Sequence, residues 1–431
     1  MSQPTGHLAE NLDINTEKGI KGGFMKKVLL GCAVLIFLGV GIAFLIYKPN
    51  LERIELTTTL FTGAEQYEAF SRIKDIYPTT LLTASSSPYE FPEGSPVKLP
   101  EDYVFNGEAR SVSTFLELTD TSALLVLVDG EIRFEQYYLT GGRHVNWLSM
   151  SVAKSFISTL IGVAVQDGLI DSIDSPITQY VPELIGSAYE GVAIVDVLEM
   201  SSGAAWNEDY ADPESDVMRM ARIMGIGGSL DEFTSSLKGQ RTPGTYNQYN
   251  SADTQALGML LARATGNSVT EYMQEKLWTP LGAESDAYWM VDDHQVEMAF
   301  GGLNATARDY MKVGELFRNQ GTWQGTEIIN ADWVYASTHS DKPHLQPGEN
   351  PASDYPMGYG YQWWLMDGDE GEYSAIGVYN QFIYVNPTKN LVIVKLSAFS
   401  DYAASPDEDG YREFESIALF RAIGSSLSNP Q

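Results

Sequence analysis

The sequence reads as an α/β (α+β) protein: an antiparallel sheet flanked by helices, with a mostly helical insertion, behind one N-terminal transmembrane helix. Three observations lead there. β-rich runs occur at 122–138 and again between 359 and 397, while the stretch between them is dominated by helical periodicity and by Pro and Gly punctuation. One sheet built from distant parts of the chain around a helical insertion fits that order. A run of 20 residues, 28–47, carries no charge at all.

Composition narrows the class of molecule. A chain of 431 residues, 44% apolar, can bury a large core and is not of disordered type. Lys and Arg total 27 against 57 Asp and Glu, a net charge of -30 that repels phosphate and excludes nucleic acid as a partner. The acidity reads as a solvated surface. Cys32 is the only cysteine, so an intrachain disulfide and a Cys-based metal site are both excluded.

Taken in order, residues 1–27 are polar and without hydrophobic period, a cytoplasmic tail. Residues 28–47 follow as the anchor, since 20 helical residues at about 1.5 Å each cross about 30 Å of hydrocarbon. Lys26 and Lys27 precede them, and the positive-inside rule then leaves the rest of the chain extracytoplasmic, periplasmic in a Gram-negative cell. A cleaved signal peptide is the rival reading, but the apolar run is long for one and no small-X-small site follows. A lipidated Cys32 in LLGC is disfavoured because most of the apolar core comes after the cysteine.

Residues 48–100 read as a linker or wrapping arm, with a short amphipathic helix around 64–76 and a Ser- and Pro-rich stretch. The remainder, 101–431, is one domain with its helical part at roughly 165–300. It opens on a hairpin at 122–138, turned by Asp129-Gly130. Late strands are expected at 359–365, 381–385 and 391–397, and an amphipathic helix at 411–427.

The chemistry turns on Ser-X-X-Lys, which occurs four times. On a helix the two residues share a face, so the amine lies over the hydroxyl and can activate it. Ser95/Lys98 is bracketed by prolines, Ser71/Lys74 lies in the short arm helix, and Ser235/Lys238 stands where a helix ends. Ser151/Lys154 heads a long apolar helical run and is the copy selected. No Gly-X-Ser-X-Gly elbow and no His-Glu-X-X-His cluster is present, and the five histidines read as isolated surface or loop residues. A lysine then becomes the natural base, provided burial lowers its pKa. Tyr249 precedes a helix whose N-cap is expected at Ser251 or Asp253. Standing alone, it reads as a packing aromatic with one hydrogen bond.

Together, Ser151-Val-Ala-Lys154, Tyr249-Asn-Ser251 and a Gly-containing late strand resemble the serine β-lactamase and penicillin-binding-protein superfamily. The segments LVDGEIRFEQYY, LSMSVAKSFISTLIG, DVLEMSSGAAW, FGGLNATARDYMKVGELF and GVYNQFIYVNPTKNLVIVKLS resemble its class C-like branch of β-lactamase-related hydrolases, typified by 6-aminohexanoate-dimer hydrolase. The likeness covers roughly residues 60–425. It implies a β-lactamase/transpeptidase-like fold, with Ser151 as nucleophile, Lys154 as proton acceptor and Tyr249 as general acid/base. It also implies an oxyanion hole made by the N–H groups of Ser151 and Val378.

Two departures from that pattern stand out. Ser251 replaces an asparagine amide, and Ala375-Ile376-Gly377 replaces the late Lys-Thr-Gly. Ala and Ile offer nothing to a substrate carboxylate, which speaks against strong β-lactamase or carboxypeptidase activity. Ser251, Gly377, Trp206 and Tyr379 are the expected substrate-binding residues, with Tyr210, Trp363 and Trp364 as further aromatics able to line an acyl pocket. The expectation is thus a membrane-anchored serine hydrolase of a small-molecule ester or amide, with no cofactor and no metal. The alternatives are a D,D-peptidase of cell-wall metabolism and a non-catalytic, membrane-tethered binding protein.

Overall fold

The computed structural model describes residues 66–427. The tail at 1–27 and the apolar segment at 28–47 therefore lie outside the described residues. Among those residues no helix is long and apolar enough to cross a membrane.

The centre of the domain is a seven-stranded, wholly antiparallel sheet. Its strands are β1 (Thr121–Val128), β2 (Glu131–Tyr137), β3 (Gly358–Tyr359), β4 (Trp364–Leu365), β5 (Tyr373–Gly377), β6 (Gln381–Asn386) and β7 (Leu391–Ser397). Their spatial order is β3-β4-β5-β6-β7-β1-β2, so the first hairpin pairs with the last strand, as strands at both ends of the domain require. Asp129 and Gly130 turn the β1–β2 hairpin with φ of 54° and 79°, the left-handed pair that matches strand twist. The region expected as one strand at 359–365 is instead two, β3 and β4, folded against each other with Gln362 at φ 61° between them.

Side-chain alternation sorts the central strands between two cores. Leu125, Leu127, Ile383, Val385, Val392 and Val394 face α3 (Ala307–Arg318) and share one core with α1 (Ala153–Gln166) and α2 (Ser251–Thr265), which pack on each other. Leu124, Val126, Phe382, Tyr384, Leu391 and Ile393 face α4 (Glu413–Leu427). With helices on both faces, β1, β6 and β7 are buried throughout, which is why they read as continuous apolar runs. α3 packs so close that a Cβ on its Gly314 would meet Val392 Cγ1 at 2.6 Å. The closing helix expected at 411–427 is broken at Arg412 (φ 58°), into Glu408–Tyr411 and α4.

A second, four-stranded sheet fixes the approach to Ser151. It joins Thr79–Leu82, Ala287–Met290, Leu303–Ala305 and Trp147–Leu148 in that order, all antiparallel. The wrapping arm thus contributes a strand, along with two short helices, Gln66–Phe70 and Ile73–Ile76, where one was expected. His344, read from sequence as a loop residue at the surface, is buried, and burial lowers its pKa.

Candidate active site

Ser151 sits at the junction of the two sheets. Trp147–Leu148 pairs with Leu303–Ala305, the Ser149 N–H donates to the Leu303 carbonyl at 2.8 Å, and the Tyr310 hydroxyl holds the Trp147 carbonyl at 2.8 Å. The chain then turns sharply. Met150 adopts φ 46°, a left-handed conformation that a side chain rarely takes, and Met150–Val152 forms a 3₁₀ turn before α1 starts at Ala153. Such local strain is typical of a side chain held out for reaction. Ser151 therefore lies just ahead of the helix and Lys154 on its first turn.

Lys154 is 1% exposed. Its Nζ donates to Ser251 Oγ at 2.9 Å and to the Phe300 carbonyl at 3.0 Å, and lies 5.2 Å from the centre of the Tyr249 ring. The i, i+3 spacing predicts an amine lying over the serine hydroxyl. Among the described hydrogen bonds none joins Ser151 to Lys154; the Ser151 hydroxyl acts on Tyr249 instead, favouring its phenolate against the larger effect of burial. Burial pushes the Lys154 pKa down to about 7, against the opposing charges of Glu208 and Asp253. Burial likewise raises Tyr249 well above the usual phenol range, so the phenol stays protonated.

Ser251 is the first residue of α2, and the N-cap is Asn250, whose side chain accepts from Ala252 N–H. This displaces the expected cap by one residue or more and frees the Ser251 hydroxyl. It accepts from Lys154 and donates to Glu208 Oε1 at 2.6 Å, while the Ser251 N–H donates to Glu208 Oε2 at 3.0 Å. The same carboxylate accepts from the Tyr210 hydroxyl at 2.7 Å and from the Trp206 indole N–H. Asp253, fully buried two residues further along the helix, accepts from Ser202, Tyr189 and Asn250, and burial raises its pKa to about 7.

Glu208 is the residue that sequence reasoning missed. Its signal was present: Trp206 and Tyr210, both picked out as aromatics, flank it at equal spacing and both donate to it. Trp206 is buried behind Glu208 and lines neither cavity beside Ser151, so its contact with the site runs through that carboxylate. Trp363 is wholly buried against Phe317 and Tyr373, a core residue. Trp364 stacks on Tyr249 with centroids 5.1 Å apart and does line the cavity.

Gly377 and Val378 arrive from β5. A Cβ on Gly377 would stand 2.7 Å from the Ser149 carbonyl oxygen and 3.0 Å from the Ser151 nitrogen, so only glycine lets the strand pass this close to the Ser151 backbone. The β5–β6 turn follows with Tyr379 and Asn380 at φ 64° and 69°. Asn380 is held by its bond to the Tyr411 carbonyl (2.7 Å), by Ser416 (2.9 Å) and by the buried Lys395 (3.3 Å).

Two cavities meet at Ser151. One of about 200 Å³ is bounded by Tyr249, Glu208, Asp354, Trp364 and Val378 among others; one of about 50 Å³ is bounded by Met150, Met218, Phe300, Val378 and Tyr379. A larger groove of about 970 Å³ runs between α4 and the hairpin at 102–111, but it contains none of these residues. Among the described residues no group of side chains has metal-ligand geometry.

The fold and sequence have known counterparts. A family model described as "Beta-lactamase" matches residues 117–417. The chain is 33% identical over 349 residues to the 6-aminohexanoate-dimer hydrolase of Paenarthrobacter ureafaciens, covering 77% of this chain and 85% of that one. A Bacillus anthracis structure, a candidate 6-aminohexanoate-dimer hydrolase, superposes with TM-score 0.78 at 21% identity over 86% of this chain and 97% of the other. A class C β-lactamase does so with TM-score 0.54 at 19% identity, over 74% and 95%. The two structural matches speak to the fold alone.

Proposed function

Since this chain belongs to the β-lactamase family and is a serine hydrolase, we propose that it cleaves an ester or amide through an acyl-enzyme on Ser151. The observation that carries the proposal is the buried Lys154, brought down to about 7 beside the Ser151–Tyr249 pair. An amine near 7 is available at neutral pH as a proton acceptor, which an ordinary lysine is not. In its neutral form it keeps two N–H donors, enough for Ser251 and the Phe300 carbonyl, and has a lone pair to spare.

In this reading Ser151 Oγ attacks the carbonyl carbon as its proton passes into the Tyr249–Lys154 pair, and Tyr249 returns a proton to the departing oxygen or nitrogen. The Ser151 and Val378 N–H groups stabilise the oxyanion. Glu208 acts through Ser251 as a positioning residue for Lys154. Water then attacks the acyl-enzyme by the same proton route and releases the acid. The relative's name points to an amide substrate, and the pocket aromatics suit either an amide or an ester.

We extend the proposal to location: the uncharged segment at 28–47, preceded by Lys26 and Lys27, tethers the hydrolase to a membrane with its catalytic domain outside the cytoplasm. A domain that fractionates with soluble protein from lysed cells without proteolytic trimming contradicts that part. The catalytic part is tested by Ser151→Ala, which is expected to abolish hydrolysis of p-nitrophenyl butyrate; retained turnover contradicts it. Acylation by a fluorescent penicillin would instead favour a peptidase of cell-wall metabolism. Ala375 and Ile376, which offer a substrate carboxylate no cation, speak against that outcome.

A further inference from the structure

The two cavities that meet at Ser151 differ in character. The smaller is lined by Met150, Val217, Met218, Met298 and Phe300. The larger carries three carboxylates, Glu208, Asp354 and Glu413, and no lysine, arginine or histidine is among its lining residues. Ser151, Tyr210 and Val378 border both, but Tyr249 borders only the larger.

The carboxylates are not equivalent. Glu208 is tied up in four hydrogen bonds and is linked to Lys154 through Ser251. Asp354 and Glu413 meet neutral donors: the Tyr249 N–H at 3.4 Å for the first, the hydroxyls of Tyr355 and Tyr402 for the second. Among the described residues neither forms an ion pair. Arg241, whose charge reaches Asp354, is engaged with Gln248 and lies over the Tyr246 ring. Asp354 is open to solvent on its outer side, yet partial desolvation at the cavity rim, with the neighbouring charge of Glu208, pushes it up to about 6, and burial raises Glu413 as well. Aromatic faces complete the enclosure: Tyr355 meets Trp364 at 5.2 Å and Tyr402 meets Tyr411 at 5.3 Å. Carboxylates set among such rings attract a desolvated cation and repel an anion.

The orientation of the substrate follows from Tyr249, and here the inference rests on the role given to it above. A proton donor to the departing atom must touch that atom. Tyr249 faces only the carboxylate-lined cavity, so the leaving group departs there and the acyl group occupies the methionine-lined one. We propose that the substrate is an ester or amide of a short apolar acid whose leaving group bears a cation, seated against Asp354, Glu413 and the rings of Trp364 and Tyr355. Ser151 Oγ bonds to the carbonyl carbon, the acyl C–O or C–N bond breaks, and the serine proton reaches the departing atom through Tyr249. An amino alcohol or diamine leaves, and water completes the hydrolysis.

Three esters of one acid test this at pH 8: butyrylcholine, its uncharged isostere 3,3-dimethylbutyl butyrate, and anionic 4-butyryloxybutanoate, with Ser151 labelling by a fluorophosphonate run alongside. The choline ester is expected to exceed the isostere by about tenfold or more in kcat/KM, with the anionic ester the poorest. Asp354→Asn, which alters an exposed loop carboxylate, is expected to cut the cationic-to-neutral ratio several-fold; Glu413→Gln, with melting checked by circular dichroism, does the same. Equal rates on cationic and neutral esters, or no turnover of the cationic ester, in a protein whose Ser151 is labelled overturn this inference alone. A preference that survives both substitutions also overturns it. Absence of labelling and of all turnover overturns the hydrolase reading with it.

Discussion

The Lys154 amine donates to the Ser251 hydroxyl at 2.9 Å, and that hydroxyl donates in turn to Glu208 Oε1 at 2.6 Å. One hydroxyl therefore couples a buried amine to a carboxylate that lies just outside its reach. Burial favours the neutral amine and the carboxylate opposes it, and the balance leaves Lys154 near 7.

That balance has a pH signature. With the neutral amine as the active form, kcat/KM on a neutral ester is expected to rise with pH through about 7 and then level off. Glu208→Gln removes a charge that favours the ammonium, so the rising limb is expected to move to lower pH by about one unit. A limb that moves upward contradicts the coupling.

Ser251→Ala tests the hydroxyl itself. It leaves the Glu208 carboxylate and one Lys154 donor without their shared partner in a buried site. A loss of about 10- to 100-fold in kcat is expected from the misplaced lysine, with KM changing less. Ser251→Asn, which restores an amide of the kind the family pattern has at this position, is expected to recover part of that loss.

Gly377→Ala places a methyl group 2.7 Å from the Ser149 carbonyl and 3.0 Å from the Ser151 nitrogen, both backbone atoms that cannot swing aside. β5 must retreat and carry Val378 N–H with it. The expected loss, about 10²- to 10³-fold in kcat, is that of an oxyanion donor. Steady-state kinetics alongside an unchanged far-ultraviolet circular dichroism spectrum check it.

Away from the chemistry, Arg308 on α3 is 2% exposed and ties β2 and the wrapping arm together through Glu135 and Glu93. Arg308→Ala is expected to cost about 3–5 kcal/mol in urea unfolding, because Glu135 is left partly buried and unpaired. Burial acts to raise the Glu135 pKa, but the bonds from Arg308 and Tyr137 outweigh it and hold the carboxyl below its usual range. Its contribution is therefore complete above the ordinary glutamate pKa and fades as pH falls through the lowered folded value.

What the sequence revealed follows from how local each signal is. Ser151 and Lys154 are three residues apart, and Tyr249 adjoins the helix that carries Ser251, so short motifs expose all of them. The β1–β2 hairpin is equally local, announced by Asp129-Gly130. Glu208 lies on a loop, and only the folded chain brings its carboxylate to Ser251, across 43 positions. Asp354 and Glu413 are likewise gathered from a late loop and the start of α4, and nothing near them in sequence marks a pocket. The strand expected at 359–365 failed for a related reason: the run is aromatic on both sides, and the left-handed residue at the reversal is Gln362 and not the nearby Gly360, so the glycine does not mark the turn. Spacing alone places the Lys154 amine on Ser151, whereas the folded chain gives its two hydrogen bonds to Ser251 and the Phe300 carbonyl.

The covalent fate of Ser151 decides most directly between an acyl-enzyme at this serine and chemistry elsewhere. Intact-mass and peptide-mapping mass spectrometry of the protein after a fluorophosphonate, and after rapid quenching with p-nitrophenyl butyrate, reports which side chain becomes covalently modified. A single adduct on the peptide containing Ser151, absent from Ser151→Ala and slowed in Lys154→Met, is the predicted result. An adduct on another serine, or full esterase turnover by Ser151→Ala, contradicts it.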